Sequence, residues 1–307
     1  MIDILMRFVI PDGLFKGVGY YNRVIRWLCV KVIKIYYSMS DCKFTLKNEE
    51  SVGIDRNEVI VSLTSFGKRV SEIGFCLESV FRQSYKPDRV ILWLSKSEFN
   101  PSNLPLVLTK YMDLGLEVKF CDDFRSHKKY YESFKQWPDS IIITLDDDVF
   151  YPESTLKQLI QTYNENPDCI SCHRAHLILK DGGNLRRYTN WGFASPGTVG
   201  PSLSLMAIGV GGVLYPPGKL HDDVLNSSVF LEKCLYADDI WLKIMSVRLS
   251  TPVVKVSKYS KTLFSISSNE KYELSQSNVL EGGNDKQLRD VMRFYDIKCD
   301  DFFRDIT

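Results

Sequence analysis

The segment that decides the fold is IIITLDDDVFYP, residues 141–152. It begins with an uninterrupted run of apolar and β-branched residues, Ile141–Leu145, which leads directly into three carboxylates, Asp146–Asp148. A run of this kind predicts a strand that is buried on both faces, as strands of parallel sheets are. The carboxylates then follow the carboxyl end of the strand, where open α/β sheets bind their ligands.

The three carboxylates indicate a site for a divalent cation. In an extended chain Asp146 and Asp148 point to one side and Asp147 to the other. Adjacent carboxylates repel one another unless a cation compensates them, and Mg²⁺ or Mn²⁺ takes one or two protein carboxylates together with water and phosphate oxygens. An acidic turn is the alternative, because Pro152 suits the start of the helix that the apolar spacing of residues 156–163 predicts. We expect Asp146 and Asp148 to bind the cation.

Composition and charge limit the class of protein. The chain has 307 residues, 44% hydrophobic and 25% charged, which suffices for one large folded domain with appendages or two small domains. Its net charge of +1 provides no field that would attract nucleic acid, so we expect no such partner. The eight cysteines are scattered and follow no secretory signal, which indicates reduced thiols in a cytoplasmic protein. No segment has the ~18 apolar residues of a membrane span.

Residues 1–55 differ in character from the rest and predict an amino-terminal amphipathic extension. Within them, residues 21–37 are strongly apolar, but four basic residues fall on one arc of a helical wheel: Arg23, Arg26, Lys31 and Lys34. Such a basic stripe either contacts an anionic membrane, at the inner face of the cytoplasmic membrane, or is a solvated face of a helix that caps the domain. The sequence leaves both interpretations open.

Strands alternate with helices between residues 59 and 145, which predicts a doubly wound, parallel sheet. The predicted strands are Val59–Thr64, Val90–Leu94, Leu116–Cys121 and Ile141–Leu145. Between them we expect a helix that Ser71 caps and a second helix around residues 104–112. Polar side chains follow the strand ends and should meet at one edge of the sheet: Thr64, Ser65, Arg69, Ser95 and Asp123.

Two further clusters precede and follow the acidic triplet. The basic segment Arg125–Tyr131, with Lys128 and Lys129, either supplies partners for a diphosphate or is a solvated charge run. The segment Cys169–His176 lacks the two separated ligand pairs of a zinc site, so we expect a strand there, with Arg174 and His176 as polar groups that face the site.

Three downstream features are candidates for the site. The glycine-rich run Gly209–Gly212 lacks the Lys-Ser/Thr of a phosphate loop and predicts tight turns where backbone approaches a ligand. Asp238 and Asp239 open a helix with apolar residues at helical spacing, and a helix start favours ionised carboxylates. The turn Gly282–Asp285 precedes a helix of about residues 286–295, either as a simple cap or with another role.

Three of these elements together resemble nucleotide-sugar-dependent glycosyltransferases of the GT-A fold. They are the strand and loop Val61–Phe66, the Asp-x-Asp element Asp146–Asp148, and the acidic pair with the helix Asp238–Leu242. The resemblance is to family 2-like bacterial enzymes of surface polysaccharide synthesis, such as lipopolysaccharide and capsule, and covers about residues 57–250. It implies an α/β, Rossmann-like, mostly parallel sheet flanked by helices, with a catalytic domain at 56–260 and a tail at 261–307.

The resemblance also implies roles for individual residues. Thr64, Ser65, Arg69 and Ser95 would lie near the base and ribose of a UDP- or GDP-sugar, with Asp123, Lys128 and Lys129 close by. Asp146, Asp147 and Asp148 would reach the ribose and the Mn²⁺ or Mg²⁺ ion. The pair Asp238-Asp239 matches a Glu-Asp pair whose Asp is the base of inverting members, so we expect Asp239 as base and Asp238 beside it. Two departures are Asp238 in place of Glu and Ser95 in place of the usual acid after the second strand.

The chemistry of glycosyl transfer fits these residue types. A cation and nearby Lys or Arg side chains stabilise a departing nucleoside diphosphate, and a carboxylate deprotonates the incoming hydroxyl of a glycan or lipid-linked glycan. Two alternatives stay open. A sugar nucleotidyltransferase should have a glycine-rich basic loop after the first strand, where Ser65–Arg69 contains one glycine. A non-catalytic glycan-binding protein would need aromatic platforms instead of a metal-diphosphate site.

Overall fold

The computed structural model describes residues 1–11, 14–15, 18–40, 57–266 and 282–305. The helices are α1 (Ile2–Leu5), α2 (Gly19–Met39), α3 (Arg69–Glu72), α4 (Gly74–Phe81), α5 (Val107–Asp113), α6 (Lys128–Gln136), α7 (Thr155–Glu165), α8 (Ser227–Lys233), α9 (Asp238–Arg248) and α10 (Gly283–Phe294). The strands are β1 (Val59–Thr64), β2 (Arg89–Ser95), β3 (Leu116–Cys121), β4 (Ile141–Leu145), β5 (Val149–Phe150), β6 (Ile170–Cys172), β7 (Ala175–Leu177), β8 (Lys180–Asp181), β9 (Asn184–Leu185), β10 (Leu205–Ala207), β11 (Val213–Tyr215), β12 (Val253–Lys255) and β13 (Phe264–Ser265).

A seven-stranded sheet of order β12-β6-β11-β4-β1-β2-β3 forms the centre of the fold. The strands β4, β1, β2 and β3 pair in parallel, and so do β12 and β6, whereas β11 is antiparallel to both of its neighbours. The predicted α/β class with a mostly parallel sheet flanked by helices is therefore confirmed. The predicted strands β1, β3 and β4 have the observed bounds, and β2 is one residue longer at each end.

Both faces of the central strands are buried, which explains their continuous apolar sequences. All five residues of β4 are buried. Alternate residues of β1 and β4, such as Val61 and Ile143, face a large apolar core, whereas Ile60 and Ile142 face a smaller one. Helix α6 closes the smaller core, where Trp93 Nε1 donates to Ser133 Oγ at 2.8 Å. The triplet after β4 is thus fixed to a strand that is packed on both sides.

Two local predictions about helix starts are wrong. Ser71 lies inside α3 instead of capping a helix, and neither α3 nor α4 has a side-chain cap hydrogen bond. Pro152 lies three residues before the start of α7 at Thr155, in a turn where the Thr155 N–H donates to the Pro152 carbonyl oxygen at 3.0 Å.

The amino-terminal helices pack beside β5 and β13. The terminal ammonium of Met1 lies 2.6 Å from Glu153 Oε1, and Lys34 Nζ donates to the carbonyl oxygen of Ile266 at 3.0 Å. The Tyr37 and Phe150 rings lie 6.1 Å apart. The rest of the predicted extension, residues 41–55, lies outside the described residues. Across the described ranges, no helix has the length and apolar character that crossing a membrane requires.

The carboxyl-terminal segment packs on the same body. Helix α10 contacts α8 and α9, and Leu288 and Val291 are buried against them. Gly282 precedes α10 with a φ of 79°, a left-handed conformation that favours glycine. All seven cysteines in the described ranges are free thiols, and six of them are buried, in line with the expectation of reduced thiols.

Candidate active site

A cleft of about 540 Å³ lies at the carboxyl ends of β1 and β4 and is closed by α6, α9 and the start of α10. All the residues that the sequence singles out for donor, metal and base roles border it, with two exceptions: Ser65 and Ser95. The cleft also has residues that sequence reasoning missed, including Tyr188, Tyr236 and Asn284. The topology therefore collects chemistry-bearing side chains from positions that are far apart in the chain.

The acidic triplet is paired with an arginine. Arg69 Nη2 forms an ion pair with Asp147 and lies 3.2 Å from Asp148 Oδ2, while Ser65 Oγ donates to Asp147 Oδ2. Burial raises the pKa of Asp147 to about 6, although Arg69 and Ser65 oppose that shift. The protein's own cation thus offsets part of the repulsion that the sequence argument assigned to a bound metal. Repulsion among the three carboxylates therefore does not by itself require a bound metal.

Lys129 joins the triplet to the acidic pair at the start of α9. Its Nζ lies 3.0 Å from Asp146 Oδ1 and 2.7 Å from Asp238 Oδ2, and the residue is only 5% exposed. Burial lowers the pKa of Lys129, but the carboxylates of Asp146, Asp238 and Asp239 outweigh it and raise that pKa well above its ordinary value. Lys129 therefore links the acidic triplet to the acidic pair, because its ammonium contacts one carboxylate of each.

The two members of the acidic pair differ in their environments. Asp238 is buried, which raises its pKa, but the ion pair with Lys129 lowers that pKa below the ordinary value. Burial and the neighbouring charge of Asp238 raise the pKa of Asp239 to about 7. The expectation that a helix start keeps Asp239 fully ionised at neutral pH is therefore wrong, since desolvation outweighs the helix terminus. Asp239 is left poised to exchange a proton near neutral pH.

Gly209 brings the main chain against these side chains. Its N–H contacts both carboxylate oxygens of Asp239, at 3.2 and 3.3 Å. A Cβ at this position would lie 2.7 Å from Lys129 Nζ, 3.3 Å from Asp239 Oδ1 and 3.4 Å from Asp146 Oδ1. The glycine run thus brings backbone close to the side chains of Lys129, Asp239 and Asp146 at the cleft. Three side chains and one N–H converge at this point.

A second cluster lies around Asp123. Lys128 Nζ donates to Asp123 Oδ1 at 2.7 Å, and the Arg125 N–H donates to the same oxygen at 3.1 Å. Burial raises the pKa of Asp123, but these donors together hold it below the ordinary value. The Arg125 side chain is 55% exposed and borders the cleft. The basic segment is therefore neither an entirely solvated charge run nor a set of unpaired cations.

The start of α10 positions the wall opposite the acidic triplet. Asp285 Oδ1 accepts from the Tyr188 N–H at 2.8 Å, and Gln287 Oε1 accepts from the Tyr236 N–H at 2.9 Å. Asn284 borders the cleft between these two attachments. Asp285 of the Gly282–Asp285 turn is therefore more than part of a helix cap, because it holds the Tyr188 main chain, while Gln287 in the first turns of α10 holds that of Tyr236.

Comparison with known protein families gives an independent result. Residues 63–212 match the sequence family described as Glycosyl transferase family 2. Residues 63–212 of the chain belong to this family. The match includes the acidic triplet and Gly209, and it ends before Asp238 and Asp239. The protein is thus a glycosyltransferase, as the resemblance of its motifs implied.

Several solved structures are similar to this family 2 glycosyltransferase. A mannosyltransferase from Pyrobaculum calidifontis in complex with GDP-Man and Mn²⁺ has a TM-score of 0.48 and 13% identity, over 86% of this chain and 72% of that one. A 4-diphosphocytidyl-2C-methyl-D-erythritol synthase has a TM-score of 0.45 and 11% identity, over 73% and 99%. A CMP:2-keto-3-deoxy-manno-octonic acid synthetase complexed with CTP has a TM-score of 0.42 and 11% identity, over 74% and 99%. No curated protein sequence matches the chain.

Some predicted polar residues of the glycosyltransferase serve the local structure. Ser95 is 1% exposed, and its Oγ lies 2.7 Å from Ser97 Oγ and closes a turn. Thr64 borders the cleft, but its hydroxyl donates to the Trp93 carbonyl oxygen at 2.8 Å. Arg174 and His176 do not border the cleft, contrary to expectation, and His176 Nδ1 accepts from the Ala194 N–H at 3.1 Å. The segment from Cys169 instead forms β6 and β7, as its alternation indicated.

The carboxylates of the cleft suit a hard cation that brings ligands of its own. In the described part of the chain, no three His, Cys, Asp or Glu side chains are grouped so that they could hold a metal. Asp146 and Asp148 both border the cleft, with side chains 29% and 16% exposed. Two carboxylates without a sulfur or imidazole ligand fit Mg²⁺ or Mn²⁺, which complete their coordination with water and phosphate oxygens.

Proposed function

We propose that this glycosyltransferase moves a sugar from a nucleotide-sugar donor to a hydroxyl group of a glycan or lipid-linked glycan acceptor, with inversion at the anomeric carbon. The observation that carries the proposal is the difference between Asp238 and Asp239 in charge compensation and in pKa. Asp238 forms an ion pair with Lys129, whereas Asp239 has a pKa of about 7 and its carboxylate accepts from the Gly209 N–H. A carboxylate in that condition is suited to act as a general base.

The donor is proposed to bind across the strand ends. Thr64 and Arg69 border the side of the cleft that the base and ribose would occupy, and Arg125 and Lys128 provide positive charge beside the diphosphate. Asp146 and Asp148 would hold Mn²⁺ or Mg²⁺ at the cleft. When bound, such an ion neutralises negative charge on the leaving nucleoside diphosphate. Arg69 and Lys129 keep the triplet charges compensated before the donor arrives.

The transfer itself is proposed as one displacement. A carboxylate oxygen of Asp239 takes the proton of the acceptor hydroxyl, and the hydroxyl oxygen forms the new bond to the anomeric carbon. The bond from that carbon to the diphosphate oxygen breaks, and its electron pair leaves with the nucleoside diphosphate. Asp238 fixes Lys129, which in turn keeps a positive charge beside Asp146 and Asp239. Attack from the face opposite the leaving group inverts the configuration.

The acceptor is proposed to lie against the wall that α10 positions. Tyr236, which is 51% exposed, offers aromatic surface for a sugar ring, and the Asn284 amide, which borders the cleft and hydrogen-bonds Tyr188, has further donor and acceptor capacity for hydroxyl groups. Since Asp285 and Gln287 hold the two tyrosine loops by main-chain hydrogen bonds, the wall is arranged before the acceptor binds.

The test is nucleotide release from a panel of UDP-, GDP- and other nucleotide sugars, with and without Mn²⁺. Release of nucleoside diphosphate from one donor, stimulated by Mn²⁺, together with a product of inverted configuration supports the proposal. Release of pyrophosphate from a sugar phosphate and a nucleoside triphosphate would assign a nucleotidyltransferase instead. Glycan binding without any nucleotide release would assign a binding protein, and a product that retains the donor configuration would remove Asp239 from the role of base.

A further inference from the structure

Helix α2 exposes an unusual number of large apolar side chains. Trp27 is 61% exposed, Ile35 60% and Met39 83%. Nine residues of the helix belong to this set: Tyr20, Tyr21, Val24, Trp27, Leu28, Val32, Ile35, Tyr36 and Met39. We call them the apolar face of α2. Contiguous exposed apolar surface of this kind marks an interaction site more often than a random surface.

The apolar face lies opposite the side that packs on the protein. Asn22, Cys29, Ile33 and Tyr37 are the buried residues of α2. With about 100° between successive residues, the apolar face covers roughly half of the helix circumference, on the side away from these four. The outward surface of α2 is therefore mainly apolar, and two of the four basic residues of the predicted stripe, Arg23 and Lys31, are exposed with it.

The charges of α2 are all of one sign. The helix contains Arg23, Arg26, Lys31 and Lys34 and no acidic residue. Lys31 Nζ lies 5.7 Å from the centroid of the Trp27 ring, so that one cation is held at the border of the apolar face. Lys34 is used inside the protein, where it donates to the Ile266 carbonyl oxygen. Arg23 and Lys31 are the exposed cations of the helix.

We propose that the apolar face of α2 binds the surface of an anionic lipid bilayer. Its apolar side chains enter the boundary between headgroups and acyl chains, Trp27 and Tyr20 lie at the level of the headgroups, and Arg23 and Lys31 contact lipid phosphates. The helix lies in the plane of the surface, in keeping with the finding that no helix in the described ranges could span a membrane. This inference stands independently of the proposed reaction.

Charge complementarity favours a bilayer over a second copy of the chain. Two copies of α2 that met through this face would bring four exposed cations, Arg23 and Lys31 of each copy, into one interface without an acidic residue from either helix. Like charges destabilise such a contact, whereas anionic lipid attracts each basic residue by about 1 kcal/mol. The aromatic side chains at the border of the face are also typical of membrane interfaces.

The attachment of α2 relates this surface to the cleft. Lys34 Nζ donates to the Ile266 carbonyl oxygen, and the Ile266 N–H donates to the Asp148 carbonyl oxygen at 2.8 Å. Two hydrogen bonds thus connect α2 with the main chain of the acidic triplet. A bilayer bound at α2 is consequently held in a fixed relation to the catalytic domain.

The test is sedimentation of the full-length protein with extruded vesicles of phosphatidylcholine, alone or with about one third phosphatidylglycerol, at about 0.1 M and about 0.5 M salt. We expect association with the anionic vesicles that decreases at high salt but stays measurable, because insertion of apolar side chains is not screened. The variant Trp27→Gln/Val32→Gln should bind at least about tenfold more weakly at both salt concentrations. Arg23→Gln/Lys31→Gln should bind more weakly at low salt only.

Leu231→Gln is the matched control, because Leu231 is 39% exposed and lies on α8, whose buried residues belong to a different apolar core from those of α2. It should bind vesicles like the unmodified chain, and Ile35→Gln provides a second single-site variant if the double variant unfolds by circular dichroism. Equal binding of the unmodified chain, Ile35→Gln and the double variant would overturn the proposal. A dimer in lipid-free sedimentation velocity that Ile35→Gln dissociates, without vesicle binding by the unmodified chain, would overturn it in favour of self-association.

Discussion

The acidic triplet after β4 and the acidic pair at the start of α9 have the same chemistry but differ in how their charges are compensated. Arg69 and Lys129 contact all three carboxylates of the triplet. In the pair, Lys129 forms an ion pair with Asp238, whereas Asp239 accepts from the backbone N–H of Gly209. A cluster of neighbouring carboxylates therefore does not by itself show which carboxylate is reactive. The reactive candidate is the carboxylate whose ionisation the protein leaves costly.

Replacing each member of the acidic pair tests this comparison with the largest expected effect. Asp239→Asn should lower kcat by ~100 to 10,000-fold with little change in donor affinity, because general-base assistance is lost. Asp238→Asn should instead remove the ion pair that holds Lys129, and so lower both the stability and kcat. Steady-state kinetics with donor binding by calorimetry separates the two. The reverse pattern, with the selective kcat loss in Asp238→Asn, would exchange the roles.

The stability of Asp239→Asn provides the control for folding. The folded-state pKa of Asp239 is raised to about 7 from an ordinary 3.8, so its stabilising contribution is lost as the pH rises through 7. Above that pH the ionised, buried carboxylate costs stability that asparagine does not. The variant should therefore melt at a higher temperature than the unmodified chain at pH 8.

Substitutions in the acidic triplet are expected to weaken donor binding and not to change the general base. Asp146→Ala and Asp148→Ala should each weaken metal-dependent nucleotide binding by about tenfold or more in affinity, while leaving the fold intact. Removing divalent cations with a chelator should have the same effect on the unmodified chain. Undiminished Mn²⁺-dependent nucleotide binding in both variants would contradict the assignment of these two carboxylates to the metal.

Gly209 tests the contact between the two acidic regions. Gly209→Ala would place a methyl group 2.7 Å from Lys129 Nζ and should destabilise the protein by about 1 to 3 kcal/mol as measured by urea unfolding. It should also shift the acid limb of the activity profile, because the N–H contact of Asp239 moves. Gly183→Ala is the matched control, since nothing lies within 4 Å of a Cβ at that position. Equal effects at both glycines would argue against a special role of Gly209.

Asn284 borders the cleft outside the acidic triplet and the acidic pair, and its uncharged side chain provides a reference for substitutions at the carboxylates. Asn284→Ala should raise the acceptor KM by about tenfold or less, with donor affinity and the pH profile unchanged, because it removes about one hydrogen bond. Kinetics at varied acceptor concentration checks this. A change in donor affinity alone would place Asn284 in the donor subsite.

Local sequence patterns were sufficient to predict much of the fold and part of the site. The apolar run of β4 and the helical spacing after Asp238 gave the observed bounds of β4 and the observed start of α9. These features depend on residues that are close in sequence. The position of β11 between β4 and β6 was not predicted, because an antiparallel insertion depends on pairing between distant segments.

The missing parts of the site are contacts between distant segments. Lys129 meets Asp238, 109 positions away, and Asp285 meets Tyr188, 97 positions away, and neither pairing leaves a local pattern. The glycine run Gly209–Gly212 indicated a close approach of the backbone, but the sequence did not show that Gly209 approaches Asp239 and Lys129. Desolvation also has no local signature, which is why the elevated pKa of Asp239 could not be predicted from its place at a helix start.

The most direct measurement of the central claim is the pH dependence of kcat/KM for the unmodified chain and for Asp239→Asn, at saturating Mn²⁺. A base acts when deprotonated, so the activity of the unmodified chain should fall as the pH decreases through about 7, with a single inflection that reports Asp239. The small residual activity of Asp239→Asn should show no inflection near that pH. A profile of the unmodified chain that is flat between about pH 5 and about pH 9, or the same inflection in Asp239→Asn, would contradict the assignment of Asp239 as the base.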